Sequence, residues 1–146
     1  NIPKSLQKKA EEYMHSLINE MDHVGVMTLE LFDSSDELIV NEIAPRVHNS
    51  GHWTIEGAQT SQFENHIRAI TNSPLGATSI KSSFNAMINI IGMHGQTSKV
   101  LETKNAHLHL YDKEERKERK LGHITLTSNS MEELNKSIDS LKEYLP

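Results

Sequence analysis

The sequence predicts an α+β protein with mostly antiparallel sheet and helices packed against it. Two observations carry this. Apolar residues recur at steps of three and four near both ends of the chain, while short alternating runs between them are joined by turn-prone or highly charged loops. The bulk numbers agree: 146 residues with 36% hydrophobic and 24% charged side chains suit a soluble globular body of one domain, or two small ones. No apolar run reaches the length of a bilayer-crossing helix, so no membrane partner is expected. A net charge of -5 opposes broad binding to phosphate backbones, which makes nucleic acid an unexpected partner while leaving room for a local basic pocket. The chain has no Cys, which removes disulfides and thiolate ligands and fits a cytoplasmic location. It opens Asn1-Ile2-Pro3, with neither an initiator Met nor a signal-peptide pattern, and is expected to be a segment of a longer protein or a processed one.

From Ser5 to Met21, the residues Leu6, Ala10, Met14, Leu17, Ile18 and Met21 form one apolar face. Lys8, Lys9, Glu11, Glu12 and Glu20 fill the other, and Pro3 stands near the first turn of this amphipathic helix. Two strands follow, Val24 to Phe32 and Leu38 to Ile43, separated by Asp33-Ser34-Ser35-Asp36. Ser61 to Asn72 reads as a helix with Phe63, Ile67 and Ile70 on one side, ended by Pro74-Leu75-Gly76. Beyond it, Ser82 to Ile91 reads as a strand closed by Gly92-Met93-His94-Gly95, and Ser98 to Glu102 as a helical turn or irregular connection. Ala106 to Tyr111 and Leu121 to Thr127 alternate as strands, and Ser130 to Leu145 is a final helix. Ser130 with Glu133 three residues on has the capping-box spacing.

Alternation places Glu30 on a face with Val24 and Val26, and Glu42 on a face with Leu38 and Val40. A five-residue hairpin loop puts the two acids opposite each other, a three-residue loop makes them diagonal neighbours, and an even-numbered loop puts them on opposite faces. In the first two cases a cation is needed, because carboxylates about 4 Å apart repel by roughly 4 kcal/mol at a surface-like dielectric. Two hard oxygen donors favour magnesium, which leaves its other positions to phosphate and water. The plain alternative is a pair of solvent-facing strand residues.

Chemistry is densest in Asn41-Glu42-Ile43-Ala44-Pro45-Arg46-Val47-His48-Asn49-Ser50-Gly51-His52, where a strand gives way to a Pro/Ser/Gly loop. His48 and His52 lie four apart, but the Pro and Gly around them oppose a continuous helix. A zinc site completed by His107 and His109 is not favoured, since there is no Cys and no HExxH pattern. His15, His23, His66 and His94 read as surface or packing residues, and Met27, Met87, Met93 and Trp53 as core or pocket lining. The run Asp112 to Lys120 is either a solvated mixed-charge hairpin loop or a grip in which Lys113, Arg119 and Lys120 converge on a phosphate.

The stretch Glu42 to Ala58 (EIAPRVHNSGHWTIEGA), followed by Thr60 to Ile70 (TSQFENHIRAI), closely resembles the signature of 5-(carboxyamino)imidazole ribonucleotide synthase, the ATP-grasp carboxylase of bacterial and fungal purine synthesis. The closing pattern from Tyr111 to Ile124 is similar to that family's ending. This resemblance implies the second half of an ATP-grasp domain over residues 1–75 and a small C-terminal α+β domain over residues 76–146. It implies ATP and magnesium (or manganese) as cofactors, with Glu30 and Glu42 as metal ligands and Asn41 and Glu42 contacting the cofactor. Arg46 would hold bicarbonate or carboxyphosphate, with His48 and Asn49 beside the reacting carbonate. Lys113, Arg119 and Lys120 match the residues that grip the 5′-phosphate of aminoimidazole ribonucleotide. Related ATP-grasp enzymes carry Asn two residues after the second Glu, where this chain has Ala44, so one contact is expected from elsewhere. The implied enzyme is a cytoplasmic homodimeric ligase, and this stretch lacks the family's Rossmann-like domain and adenine-binding half. It is therefore expected to be inactive alone.

Two other readings compete. A formate-dependent glycinamide ribonucleotide transformylase shares the motif style but runs P-R-P-H-D-T-G-M, against P-R-V-H-N-S-G-H here. A non-catalytic binding or dimerisation module is opposed by the intact Glu30, Glu42 and Arg46, because a retired site has no reason to keep a repelling carboxylate pair.

Overall fold

A computed structural model describes residues 2–34 and 37–144 and divides the chain into two compact units. One comprises Asn1–Gly51 and Gln62–Gly76, the other His52–Ser61 and Ala77–Pro146. Among the described residues no helix is long and apolar enough to cross a membrane.

The first unit opens with helix α1 (Lys4–Met21), which starts after Pro3 and stops where Asp22 turns left-handed at φ 47. Strands β1 (Thr28–Ser34) and β2 (Glu37–Ala44) form an antiparallel pair. The first strand begins four residues later than alternation alone suggests. Gly25 takes φ 123, and the Val26 N–H is given to His66 Nδ1 at 3.0 Å instead of to a ladder partner. His66, expected as a surface or packing residue, thus holds the entry to β1 from helix α3 (Gln62–Ile70). The same helix is tied at its other end, where Asn65 accepts the Gly76 N–H at 2.8 Å and donates to the Gly76 carbonyl at 3.2 Å.

In the second unit, a four-residue helix α2 (Thr54–Gly57) precedes strand β3 (Phe84–Ile91), helix α4 (Thr97–Glu102), and strands β4 (Ala106–Leu110) and β5 (Lys120–Ser128). Helix α5 (Met131–Ser140) follows. The sheet order is β3-β5-β4, all antiparallel, so β5 lies at the centre. Register pairs Ile88 and Leu108 with Ile124, and this face carries the apolar core with Leu126, Val100, Leu134 and Leu141. Ile90 pairs with Gly122 but Ile91 pairs with Lys120, which makes Leu121 the extra residue of a bulge. A bulge puts two successive side chains on one side of the ladder, and Leu121 joins the core, fully buried, although its parity matches that of His123.

The opposite face of this sheet is polar, with Asn89, His123 and His109 in one cross-strand row and Met87, Thr125 and His107 in the next. Met87 and Met93 line a cavity of about 570 Å³ with Asn89 and Tyr144, and Met93 itself is exposed. The final helix is shorter than its periodicity suggests: it ends at Ser140, and a 3-10 turn follows over Lys142–Tyr144. The expected terminus at Leu145 lies outside the described residues. Ser130 caps α5 by accepting the Glu133 N–H, but Glu133 does not return the bond as a capping box would. Ser128 relays it instead: its hydroxyl donates to Glu133 Oε2 at 3.2 Å and accepts the Ser130 N–H at 3.0 Å.

Candidate active site

The β1–β2 hairpin places Glu30 directly opposite Glu42. Ser34 pairs with Glu37 across an even-numbered connection, which in an unbroken ladder would leave the two acids on opposite faces. The register shifts between Glu30 and Leu31, whose partners are Glu42 and Val40. Asn41 is therefore a bulge residue, and it restores the parity. It also brings a third polar side chain to the pair, since Asn41 Nδ2 donates to Glu30 Oε2 at 3.2 Å. Directly opposed residues have Cβ atoms about 4.5–5.5 Å apart, close enough for two carboxylates to share one cation.

The other oxygen of Glu30 faces the loop. His48 Nε2 lies 3.3 Å from Glu30 Oε1, with the imidazole mostly buried. At the far side of the ring, Nδ1 lies 2.9 Å from the Ser50 hydroxyl and 3.3 Å from the Ser50 N–H. A backbone N–H can only donate, so Nδ1 is the unprotonated nitrogen and the ring proton sits on Nε2, aimed at Glu30. The backbone of His48 is held by Gln62, at 3.0 Å through its N–H and 2.7 Å through its carbonyl. Arg46 is exposed, and its guanidinium donates to the Val47 carbonyl at 2.9 Å; it makes no ion pair with either acid. Asn49 begins a short 3-10 turn, Asn49–Gly51, and is half-buried. Glu42 is exposed and makes no side-chain hydrogen bond or ion pair with the described residues.

The chemistry of this donor set suits a hard divalent cation: two carboxylates on one face, one without a protein partner, supply oxygen only. Magnesium commonly takes one or two carboxylates and completes its shell with water and phosphate oxygens. A richer site is not present, since no group of three or more His, Cys, Asp or Glu among the described residues could hold a metal ion.

The three cations of the second unit stand apart from one another in role. Lys113 Nζ lies 5.3 Å from the Tyr111 ring centroid, Arg119 gives its carbonyl to the Gly92 N–H at 2.9 Å, and Lys120 opens β5 opposite Ile91. No hydrogen bond joins their side chains. The Asp112–Lys120 connection turns through left-handed residues at Asp112 and Glu118.

Sequence reasoning missed a cluster on the polar face of the second unit. His123, 1% exposed, has its Nδ1 in a 2.7 Å hydrogen bond with the Tyr111 hydroxyl and stacks on His109 at 4.4 Å. His109 Nε2 lies 2.8 Å from Glu56 Oε1, and the His52 ring centroid is 5.4 Å from that of His123. Burial, and then the neighbouring His109 and His52, push the His123 pKa down to about 4, and burial pushes the Tyr111 hydroxyl up. Both partners are thus neutral near pH 7. Two atoms of this cluster, His123 Nε2 and Glu56 Oε2, are buried without a hydrogen-bond partner. The signal was there in part: His107 and His109 share a strand face, but nothing local indicated which segment covers it.

Known proteins match along nearly the whole chain. Residues 1–63 match the ATP-grasp domain, and residues 85–137 match the phosphoribosylaminoimidazole carboxylase C-terminal domain. The protein is thus of the ATP-grasp class: an ATP-grasp segment, with its acid-bearing antiparallel hairpin, followed by that carboxylase domain. N5-carboxyaminoimidazole ribonucleotide synthase of Vibrio cholerae is 44% identical over 141 residues, which are 97% of this chain and 37% of the relative. The crystal structure of the Thermus thermophilus synthetase of the same name superposes with a TM-score of 0.89 at 48% identity, covering 97% of this chain and 39% of that one. An Aspergillus clavatus synthase, solved in complex with ADP and 5-aminoimidazole ribonucleotide, superposes with a TM-score of 0.84 at 36% identity, over 98% of this chain and 41% of that one. The chain belongs to the N5-carboxyaminoimidazole ribonucleotide synthase family and corresponds to its C-terminal portion. It spans about 37% of the length of the curated relatives it matches.

Proposed function

We propose that this chain is the C-terminal part of an enzyme that makes N5-carboxyaminoimidazole ribonucleotide from aminoimidazole ribonucleotide, bicarbonate and ATP in purine biosynthesis. Residues 1–75 form the second half of its ATP-grasp domain and residues 76–146 its small C-terminal domain. The observation that supports this most is the bulged hairpin, which sets Glu30 opposite Glu42 in a chain related to these synthases along 97% of its length.

In the proposed reaction an oxygen of bicarbonate attacks the γ-phosphorus of ATP, ADP leaves, and carboxyphosphate forms. The 5-amino group of aminoimidazole ribonucleotide then attacks the carboxyl carbon, phosphate leaves, and loss of the amine proton gives the carbamate. Magnesium held by Glu30 and Glu42 would neutralise charge on the phosphates. Asn41 orients Glu30 from the bulge, through the 3.2 Å bond already present. Arg46 binds the carbonate: leaving the Val47 carbonyl for an anion exchanges a neutral acceptor for a charged one, which makes the stronger hydrogen bond. His48 carries its proton on Nε2 and acts first as a donor that orients Glu30 or the carbonate, and Asn49 lies in the same loop. Lys113, Arg119 and Lys120 hold the 5′-phosphate of the ribonucleotide, two of them as point charges and Arg119 as a fork. The parent enzyme works as a cytoplasmic homodimer. The chain by itself binds ATP weakly and does not turn over, because the adenine pocket and triphosphate lysines belong to the upstream half.

The test is ATP turnover by the full-length protein with bicarbonate or formate as co-substrate. Bicarbonate-dependent ADP release that requires aminoimidazole ribonucleotide is expected; formate-dependent release with glycinamide ribonucleotide would assign the transformylase instead, and no turnover would favour a binding module.

A further inference from the structure

We infer that Gln62 is a positioning residue that sets the His48 imidazole against Glu30, an assignment that rests on the function proposed above. Gln62 is the first residue of α3, and its side-chain amide engages both backbone groups of one residue in a loop that has no ladder of its own. Oε1 accepts the His48 N–H at 3.0 Å, and Nε2 donates to the His48 carbonyl at 2.7 Å. The pattern is the one a neighbouring strand would offer, supplied by a single side chain.

Gly51 makes this approach possible. A Cβ there would stand 2.6 Å from Gln62 Oε1 and 2.7 Å from its Cδ, closer than real contacts allow. The need is for space and not for unusual backbone, since Gly51 is not among the positive-φ glycines. With the backbone fixed by Gln62, two contacts from Ser50 to Nδ1 fix the ring, and Nε2 then falls 3.3 Å from Glu30 Oε1. A line of bonded contacts therefore runs from α3 through the loop to the acid on β1. The part of Gln62 and Gly51 is to hold the loop that carries His48.

If Gln62 only stapled the loop for stability, its loss would lower the melting temperature and leave turnover per folded molecule unchanged. As a positioning residue its loss changes turnover. In the full-length protein, Gln62→Ala is expected to lower kcat for the bicarbonate-dependent reaction roughly 10- to 100-fold, the range seen when a supporting contact behind a reacting group is removed, with KM for ATP nearly unchanged. Gln62→Glu keeps an acceptor for the His48 N–H and loses the donor, so its kcat should fall between the two. A folded Gln62→Ala protein whose kcat matches wild type would overturn the assignment. Amide hydrogen exchange on the 146-residue chain gives a readout independent of activity. The His48 amide is expected to be protected in wild type and in Gln62→Glu, which keeps its acceptor, and to exchange much faster in Gln62→Ala; equal exchange in wild type and Gln62→Ala would also overturn the assignment. A wild-type parent without bicarbonate-dependent turnover would sink the proposed function, and the exchange measurement would still decide whether Gln62 holds the loop.

Discussion

Acidification should destabilise this chain through one buried imidazole. His123 is 1% exposed, has its Nδ1 2.7 Å from the Tyr111 hydroxyl, and neighbours the His109 and His52 rings; Glu56 favours a charge on it, but burial and the two imidazoles outweigh that. Its pKa falls from 6.5 to about 4 in the folded chain. The unfolded chain therefore takes up a proton below about pH 6.5 that the folded chain refuses until about pH 4, and stability is lost as pH falls through that window. At about 1.4 kcal/mol per pH unit, the difference is worth roughly 3 kcal/mol, a large share of the stability of a small domain. The assay is urea unfolding of the wild type and of His123→Gln at pH 7.5, 6.5, 5.5 and 4.5. Glutamine cannot ionise, so whatever its baseline stability, its decline between pH 6.5 and 4.5 should be shallower than wild type by a few kcal/mol. Parallel declines would refute the argument, because the remaining carboxylates and histidines titrate in both proteins.

Two further perturbations address the second unit. Ser130→Ala removes the acceptor for the Glu133 N–H but keeps the Ser130 backbone N–H that Ser128 accepts; the lost 3.4 Å bond is long, so a loss of about 0.5–1 kcal/mol in urea unfolding is expected. Gly122→Ala would drive a Cβ into the His109 carbonyl of the adjacent strand, which cannot rotate away as a side chain could. A cost of at least about 1–3 kcal/mol is expected, with the melting temperature as readout, and a neutral result would mean that β4 and β5 are less closely paired than their register indicates.

Much of the fold was legible because its signals are local. The three-four spacing from Leu6 to Met21 gave α1 within a residue of its start, and the alternation of β3, β4 and β5 gave their positions to within about two residues. What failed was what a neighbour decides. Alternation extended β1 back to Val24 because the apolar pattern continues, but the His66 ring takes the Val26 N–H and Gly25 bends the chain. The acid pair shows the same limit from the other direction. Loop parity left three outcomes open, and an even connection should have separated Glu30 from Glu42; Asn41 bulges, a choice made by the two strands together. The dense loop from Asn41 to His52 drew attention for its charged and aromatic groups, whereas Gln62, ten or more residues downstream and without charge, gave no signal that its amide closes on His48. The polar sheet face was half visible in His107 and His109, but its cover by Glu56 and His52 is long-range and could not be read from spacing.

We propose that Glu30 and Glu42, brought to one face by the bulge, bind a divalent cation together. It is tested most directly by titrating manganese, as a paramagnetic substitute for magnesium, into the full-length protein with saturating ADP and following free metal by electron paramagnetic resonance. Wild type should take up manganese at a nucleotide-dependent site, while Glu30→Gln and Glu42→Gln should each weaken it by at least about tenfold with the fold intact. Unchanged manganese affinity in either folded variant would contradict the account.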